Sequence, residues 1–370
     1  MYEVIVVGGG LSGLINGIKL ARSNHRVLLL EKKSYPFHRV CGEYISNEVK
    51  PFLNEIGCFP AHLEPSEISR FQLTSVTGKS VDIPLDLGGF GVSRYVFDHF
   101  LAQKAIKEGV TLKTQTSVNK VTFHKDEFSV VATNGDSYKA KVVIGAFGKR
   151  SILDKTLDRK FMKKRSPYVG VKYHVKTSMK EDLIALHNFK GGYCGISQID
   201  DGKFNLCYLA SRDVLKKAGS IPAMEKLILM KNPWLHDIFK NSDFLMDQPE
   251  VINEISFARK EPVFEHILMP GDSAGMIAPL CGNGMAMAIH GAKMSSELVS
   301  DFLQGKKSRQ EMEYLYVRKW NQQFAKRLWI GRNIQKLFGS GQGSDFAVGL
   351  LQNSAMVSRI IIRNTHGKPF

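Results

Sequence analysis

The chain has 370 residues, of which 43% are hydrophobic and 23% charged, and carries a formal net charge of +16. This length predicts two or three domains of ordinary globular composition. No apolar run is long enough for a membrane span and no leader precedes the first strand, which argues against an integral membrane protein and a secreted one.

In chain order, residues 4–7 form a short β-branched run, and Gly8-Gly9-Gly10-Leu11-Ser12-Gly13 follows at once. Leu14, Ile15, Ile18 and Leu20 then recur at helical spacing, and residues 27–30 form a second apolar run closed by Glu31. This is strand, glycine turn, helix, strand and acid. Gly8 permits the tight turn, Gly10 lets a pyrophosphate approach the backbone, and Gly13 lets helix and strand pack closely. The helix N-terminus offers N–H groups and positive dipole to phosphates, and Glu31 can accept from a ribose diol. The pattern predicts a dinucleotide site without saying which dinucleotide.

Residues 44–57 read as a helix, 71–76 and 80–85 as a hairpin, and the glycine-rich 86–91 as a mobile loop. Residues 95–108 read as an amphipathic helix stopped by Gly109. Three strands follow, at 110–123, 127–133 and 137–145, with Asn134-Gly135 as a type I′ turn signal. Residues 168–210 alternate as an antiparallel sheet with one apolar face and one more polar face bearing Gly170, Lys172 and His174. A helix is predicted over 221–230, a strand over 263–269, and long helices over 284–335 broken near Gly305. Residues 338–344 read as a link to a final helix over 345–363.

The five cysteines (Cys41, Cys58, Cys194, Cys207, Cys281) show no CxxC pair. They read as free thiols of a reducing cytoplasm, with Cys194 and Cys207 packed on neighbouring strands. No metal site is expected. The positive charge is densest toward the C-terminus (Lys306, Lys307, Arg309, Arg318, Lys319, Lys326, Arg327, Arg332, Lys336, Arg359, Arg363) and at Lys160, Lys163, Lys164 and Arg165. No nucleic-acid motif accompanies it. An anionic membrane surface at the inner face of the membrane and a plain solvated surface are equal readings of it.

Downstream, Pro270-Gly271-Asp272-Ser273-Ala274-Gly275 is followed by Pro279-Leu280-Cys281-Gly282-Asn283-Gly284-Met285 and a helix. Gly271-Asp272 with this P-x-x-G-x-G resembles the second FAD motif of the glutathione-reductase-type flavoproteins, in the branch of p-hydroxybenzoate hydroxylase and geranylgeranyl reductase. Ser93-Arg94-Tyr95-Val96-Phe97-Asp98 resembles that family's R-x-x-[FL]-D segment. Residues 145–151 resemble its G-A-D-G-x-x-S segment, with Phe147 in place of the aspartate. The resemblance implies FAD as cofactor and a contact set of Gly8, Gly10, Ser12, Gly13, Glu31, Lys32, Arg39, Gly42, Arg94, Val118, Gly148, Asp272, Gly282, Asn283, Gly284 and Met285. It implies an α/β fold: a discontinuous Rossmann-like FAD-binding domain (1–70, 94–160 and 262–300), an inserted antiparallel-sheet substrate domain (71–93 and 161–261) and C-terminal helices (301–370).

Arg39-Val40-Cys41-Gly42-Glu43-Tyr44 resembles the C-G-[DE] segment of geranylgeranyl reductases. Reducing an isolated alkene needs a hydride from flavin N5 and a proton from a placed acid. Cys41 is the candidate donor, since a free thiol titrates near ~8.5, with Glu43 or Tyr44 assisting. His38, His174 and His290 are further candidate acids. A hydrophobic prenyl or lipid-like substrate is expected against the sheet and a lining of Met285, Met287, Met294, Trp320, Phe324, Leu328, Trp329 and Ile330. The electron donor stays open between NAD(P)H and a ferredoxin-type protein, and no carrier or protein partner is identifiable. The alternative is a single-component flavin monooxygenase hydroxylating or epoxidising an aromatic or polyketide-like substrate, and a third class is a non-enzymatic flavin- or lipid-binding protein. Phe147 and Cys41-Gly42-Glu43 favour the reductase. The W-x-W-x-I-P segment of flavin halogenases is missing, since Trp234 stands in Asn232-Pro233-Trp234-Leu235-His236.

Overall fold

A computed structural model describes residues 2–163, 166–253, 255–277, 283–334, 339–353 and 367–370. Two sheets carry the fold. The first has the order Val263–Phe264, Ile267–Leu268, Ser137–Gly145, Tyr2–Val7, Val27–Leu30, Thr111–Lys113. From Ile267–Leu268 onward these strands run parallel. Val4 to Val7, Val27 to Leu30 and Val142 to Ile144 are all at most 5% exposed, as expected of parallel strands covered on both faces. Helices Leu11–Arg22, Arg94–Lys107 and Gly284–Leu303 pack together beside this sheet, and Arg309–Ile334 lies on Gly284–Leu303. Strand Ser137–Gly145 serves twice: its start pairs antiparallel with Glu127–Ala132, its end parallel with Tyr2–Val7.

The second sheet has nine strands, ordered Asp243–Phe244, Tyr168–Lys176, Phe204–Ser211, Gly192–Gln198, Leu183–Phe189, Ser66–Thr74, Ser80–Gly91, Tyr44–Ser46, with Glu250–Ile252 also on Tyr168–Lys176. Its pairs are antiparallel except Leu183–Phe189 with Ser66–Thr74. Tyr44–Ser46 and the first residues of Ser66–Thr74 therefore belong to this sheet, although the sequence boundaries put them in the first unit.

Several local expectations change. Residues 44–57 are not one helix: Tyr44–Ser46 pairs with residues 89–91, a one-turn helix follows, and the α-helix spans only Lys50–Glu55. The glycines of 86–91 are strand, and an added Cβ on Gly89 or Gly91 would collide with Tyr44 or the Gln198 carbonyl. The expected strand 110–123 divides into Thr111–Lys113 and Val118–His124, one for each part of the sheet. At Asn134-Gly135 only Gly135 has positive φ, and its N–H bonds Ala132, so the turn is type I with a glycine bulge, not type I′. The run 263–269 is a miniature hairpin folded at Glu265 and His266, both at positive φ. Both faces of Tyr168–Lys176 are buried, including Lys172 and His174. The final helix spans Gly341–Asn353; Lys164, Arg165, Lys336, Arg359, Arg363 and the rest of that expected helix lie outside the described residues. No helix among the described residues is long and apolar enough to cross a membrane.

Candidate active site

The glycine turn opens directly from the strand Tyr2–Val7. Gly8 has φ +105°, and a Cβ there would lie 2.4 Å from the Ala146 carbonyl oxygen. A Cβ on Gly13 would lie 1.9 Å from the Gly8 oxygen, so this glycine is what lets helix meet strand. A Cβ on Gly10 meets only Arg94 Nη2, at 3.5 Å, so that side of the turn is open. No side chain caps helix Leu11–Arg22 and no acid stands in its first turn. Its N-terminal dipole is left for an anion. Ser12 Oγ is buried with no hydrogen-bond partner among the described residues. An orphaned hydroxyl beside an open glycine and an uncapped helix fits a pyrophosphate.

Glu31 is 3% exposed and accepts from Gly9 N (2.7 Å), Lys33 N (3.0 Å) and Arg39 Nη2 (3.2 Å). Its own carbonyl accepts from Thr116 N, which brings the segment leading into Val118 to the same end of the sheet. Arg39 Nε also reaches Asp98 (3.1 Å), while Arg94 grips Asp98 through Nε (2.6 Å) and Nη2 (2.7 Å). The simple Arg94–Asp98 pair thus exists, and it orients Arg94 beside Gly10. The second motif meets the first here: Gly271, at φ +67°, would place a Cβ 3.6 Å from the Ser12 Cβ. The Asp272 carboxylate makes no hydrogen bond or ion pair among the described residues. Asn283 precedes helix Gly284–Leu303, whose Met285 is buried; Pro279–Gly282 lie outside the described residues. Gly148 has φ +83° and open space around it. Lys32 is exposed and Gly42 exposed with nothing near its Cβ position.

The loop carrying Cys41 lies along the face of Tyr168–Lys176 formed by Gly170, Lys172 and His174. Val40 Cγ1 would be 3.2 Å from a Cβ on Gly170, and the Val40 carbonyl accepts from Lys149 Nζ (2.8 Å). The Cys41 carbonyl accepts from Asn205 Nδ2 (3.1 Å), and the Cys41 side chain is half-buried. Glu43 is fully buried at φ +53°. Its carboxylate takes Lys172 Nζ (2.5 Å), the Arg94 N–H (2.7 Å) and His174 Nε2 (2.8 Å). Burial alone would raise its pKa, but Lys172 and His174 outweigh that and hold it at about 2. Glu43 is therefore held as an anion, which suits it to fixing the loop more than to the expected role of assisting or reprotonating Cys41. His38 stacks on Tyr95 (4.6 Å) and meets His174 edge-on (5.1 Å). Burial and then the Lys172 charge lower its pKa to about 4, which keeps it neutral. Cys207, opposite Lys172 across the strands, is pushed up to about 12 by burial.

Tyr44 is not in this cluster. It packs with Ile68 and Leu85 across Gly89. His290 stacks on Phe370, and neutral burial holds it near 4. Met285, Met287, Met294, Trp320, Phe324 and Leu328 are packed in the main core, whereas Trp329 is 62% exposed. Lys172 and Asn205 were not singled out as site residues by the sequence, although a cation and a histidine two apart on one strand face was a usable signal.

This geometry is that of a flavoprotein, an FAD-dependent oxidoreductase. The chain belongs to the family described as FAD binding domain, which matches residues 1–317. It is 28% identical over 341 residues to digeranylgeranylglycerophospholipid reductase of Methanocaldococcus jannaschii, covering 87% of this chain and 83% of that protein. It is 26% identical over 334 residues to conditioned medium factor receptor 1 of Dictyostelium discoideum, covering 80% of this chain but only 62% of that protein's length. Among solved structures, a geranylgeranyl bacteriochlorophyll reductase-like protein of Thermoplasma acidophilum superposes with a TM-score of 0.80 at 18% identity, covering 100% and 96% of the two chains. A flavin-dependent brominase does so with 0.79 at 19%, covering 98% and 93%. These two are likenesses of fold.

Proposed function

We propose that this protein reduces C=C bonds of a hydrophobic, prenyl- or lipid-like substrate. The observation that carries the reading is the placement of Cys41: a half-buried thiol on a loop fastened between the FAD-binding helix start at Arg94 and the sheet strand bearing Lys172. The similarity to a digeranylgeranylglycerophospholipid reductase supports it. FAD, when bound and reduced, supplies a hydride from its ring N5. The protein's part is then to present a proton to the second alkene carbon. Cys41 is the donor in this reading, and a fixed Glu43–Lys172–His174 cluster holds its loop in place. Ser12, Gly10 and Arg94 would hold the pyrophosphate, Glu31 and Val118 the adenosine end, and Asp272 and Asn283 the ring end. The membrane that supplies such a substrate would be met by the basic surface.

The test is anaerobic. Dithionite-reduced holoprotein is mixed with a prenyl-lipid extract and the flavin spectrum is followed. Reoxidation that depends on the lipid and is strongly slowed in Cys41→Ser, with FAD still bound, is the expected outcome. A flavin that stays reduced until oxygen is admitted would turn the reading toward the monooxygenase alternative.

A further inference from the structure

Lys260 is buried, 9% exposed, yet forms no ion pair among the described residues. Its Nζ donates to two main-chain oxygens: that of Lys149 (2.7 Å) and that of Asp272 (2.8 Å). The first lies in the segment after strand Ser137–Gly145, the second in the Gly271–Ser273 turn. Neighbouring contacts fasten the same turn. Arg159, fully buried, donates to the Ser273 carbonyl (2.8 Å), and Ser273 Oγ donates to that of Gly145 (2.6 Å). Burying an ammonium against two carbonyls is costly where an apolar side chain could fill the space, so the position calls for a use.

We propose that Lys260 is a cofactor-positioning residue. Its ammonium sets the spacing between the 148–149 segment and the second glycine turn, and so aims the Asp272 carboxylate, which has no partner of its own among the described residues, at FAD. The reading needs only the FAD site and is independent of the reaction catalysed.

The charged groups that face Lys260 are Asp154, Asp272, Arg159 and Arg150, and burial, the largest influence, lowers its pKa to about 8. A neutral amine donates weaker hydrogen bonds than an ammonium. FAD binding that relies on the charged form is therefore complete below that pH and weakens as pH rises through it.

The experiment is fluorescence titration of the full-length apoprotein with FAD from about pH 6.5 to about pH 9.5, on wild type, Lys260→Met and Lys260→Arg, with thermal unfolding as the folding control. Wild type should lose affinity severalfold across the range. Lys260→Met should bind about tenfold or more weakly at neutral pH and show no such loss. Lys260→Arg should bind well throughout. Binding by Lys260→Met within about twofold of wild type, or the same pH loss in both, would overturn the proposal. If Lys260→Met does not fold, a loss present in wild type and missing from Lys260→Arg supports it, and a loss shared by the two refutes it.

Discussion

Glu43 Oε1 and Lys172 Nζ lie 2.5 Å apart, and neither side chain has any exposed surface. The pair joins the Cys41 loop to the second sheet, and the same carboxylate receives the Arg94 N–H at the start of the FAD-side helix. Removing one partner of a buried pair strands the other charge, at a cost of about 3–5 kcal/mol. Lys172→Met should therefore lower the unfolding free energy by about that amount, and adding Glu43→Gln should recover part of it. Urea unfolding of the three proteins checks this. A loss below about 1 kcal/mol in the single variant would mean that the pair behaves as a surface one.

The acid behaviour has two windows. Glu43 is a depressed carboxylate, so its contribution is fully present above its ordinary value of 4.5 and is lost progressively as pH falls from there through about 2. His187 is a buried histidine lowered to about 3 by desolvation, and its Nδ1 is 3.0 Å from Thr74 Oγ1. The unfolded chain protonates there from its ordinary value of 6.5 downward while the folded chain does not, so stability falls as pH drops below 6.5. His187→Gln should reduce that slope by about 1.4 kcal/mol per pH unit. Urea unfolding at several acidic pH values measures it, and an unchanged slope would remove His187 from the account.

Two glycines of one turn should fail differently. An added Cβ on Gly13 meets backbone at 1.9 Å. Gly13→Ala should therefore destabilise the apoprotein itself, by about 1–3 kcal/mol or more. The Gly10 side is open, so Gly10→Ala should fold normally and lose FAD affinity about tenfold or more. Melting curves and flavin titration separate the two, and equal melting temperatures would contradict the geometry.

Ser12 gives a cleaner case. Its orphaned Oγ contributes no hydrogen bond to the apoprotein among the described residues. Ser12→Ala should leave apoprotein stability within about 0.5 kcal/mol while weakening FAD binding severalfold. Isothermal titration with FAD is the check, and unchanged affinity would exclude the hydroxyl from the cofactor site.

The part of the candidate site that is legible in the sequence is the part built locally. Gly8 to Gly13, Glu31 and Arg94 owe their placement to neighbours within one strand–turn–helix unit or to i,i+4 spacing, and residue pattern carries such information. Tyr44–Ser46 misled because Ile45, Val49, Phe52, Leu53 and Ile56 also fit a helical face, while the pairing that makes a strand comes from residues 89–91. Lys172 and His174 read as part of the more polar face of a strand. Their burial depends on Glu43, about 130 residues away in sequence (129 and 131 positions), and no local pattern announces that contact. Lys260 left no signal at all, since its partners are main-chain oxygens.

The central claim is alkene reduction, and the mass of the product tests it most directly. Purified holoprotein is incubated with an unsaturated prenyl lipid and a low-potential reductant, with and without oxygen, and the lipid is weighed by mass spectrometry. The account predicts a gain of about two mass units per reduced bond in the absence of oxygen, as hydride plus proton requires. A gain of about sixteen that appears only with oxygen, as hydroxylation or epoxidation of the lipid adds one oxygen atom, would contradict it.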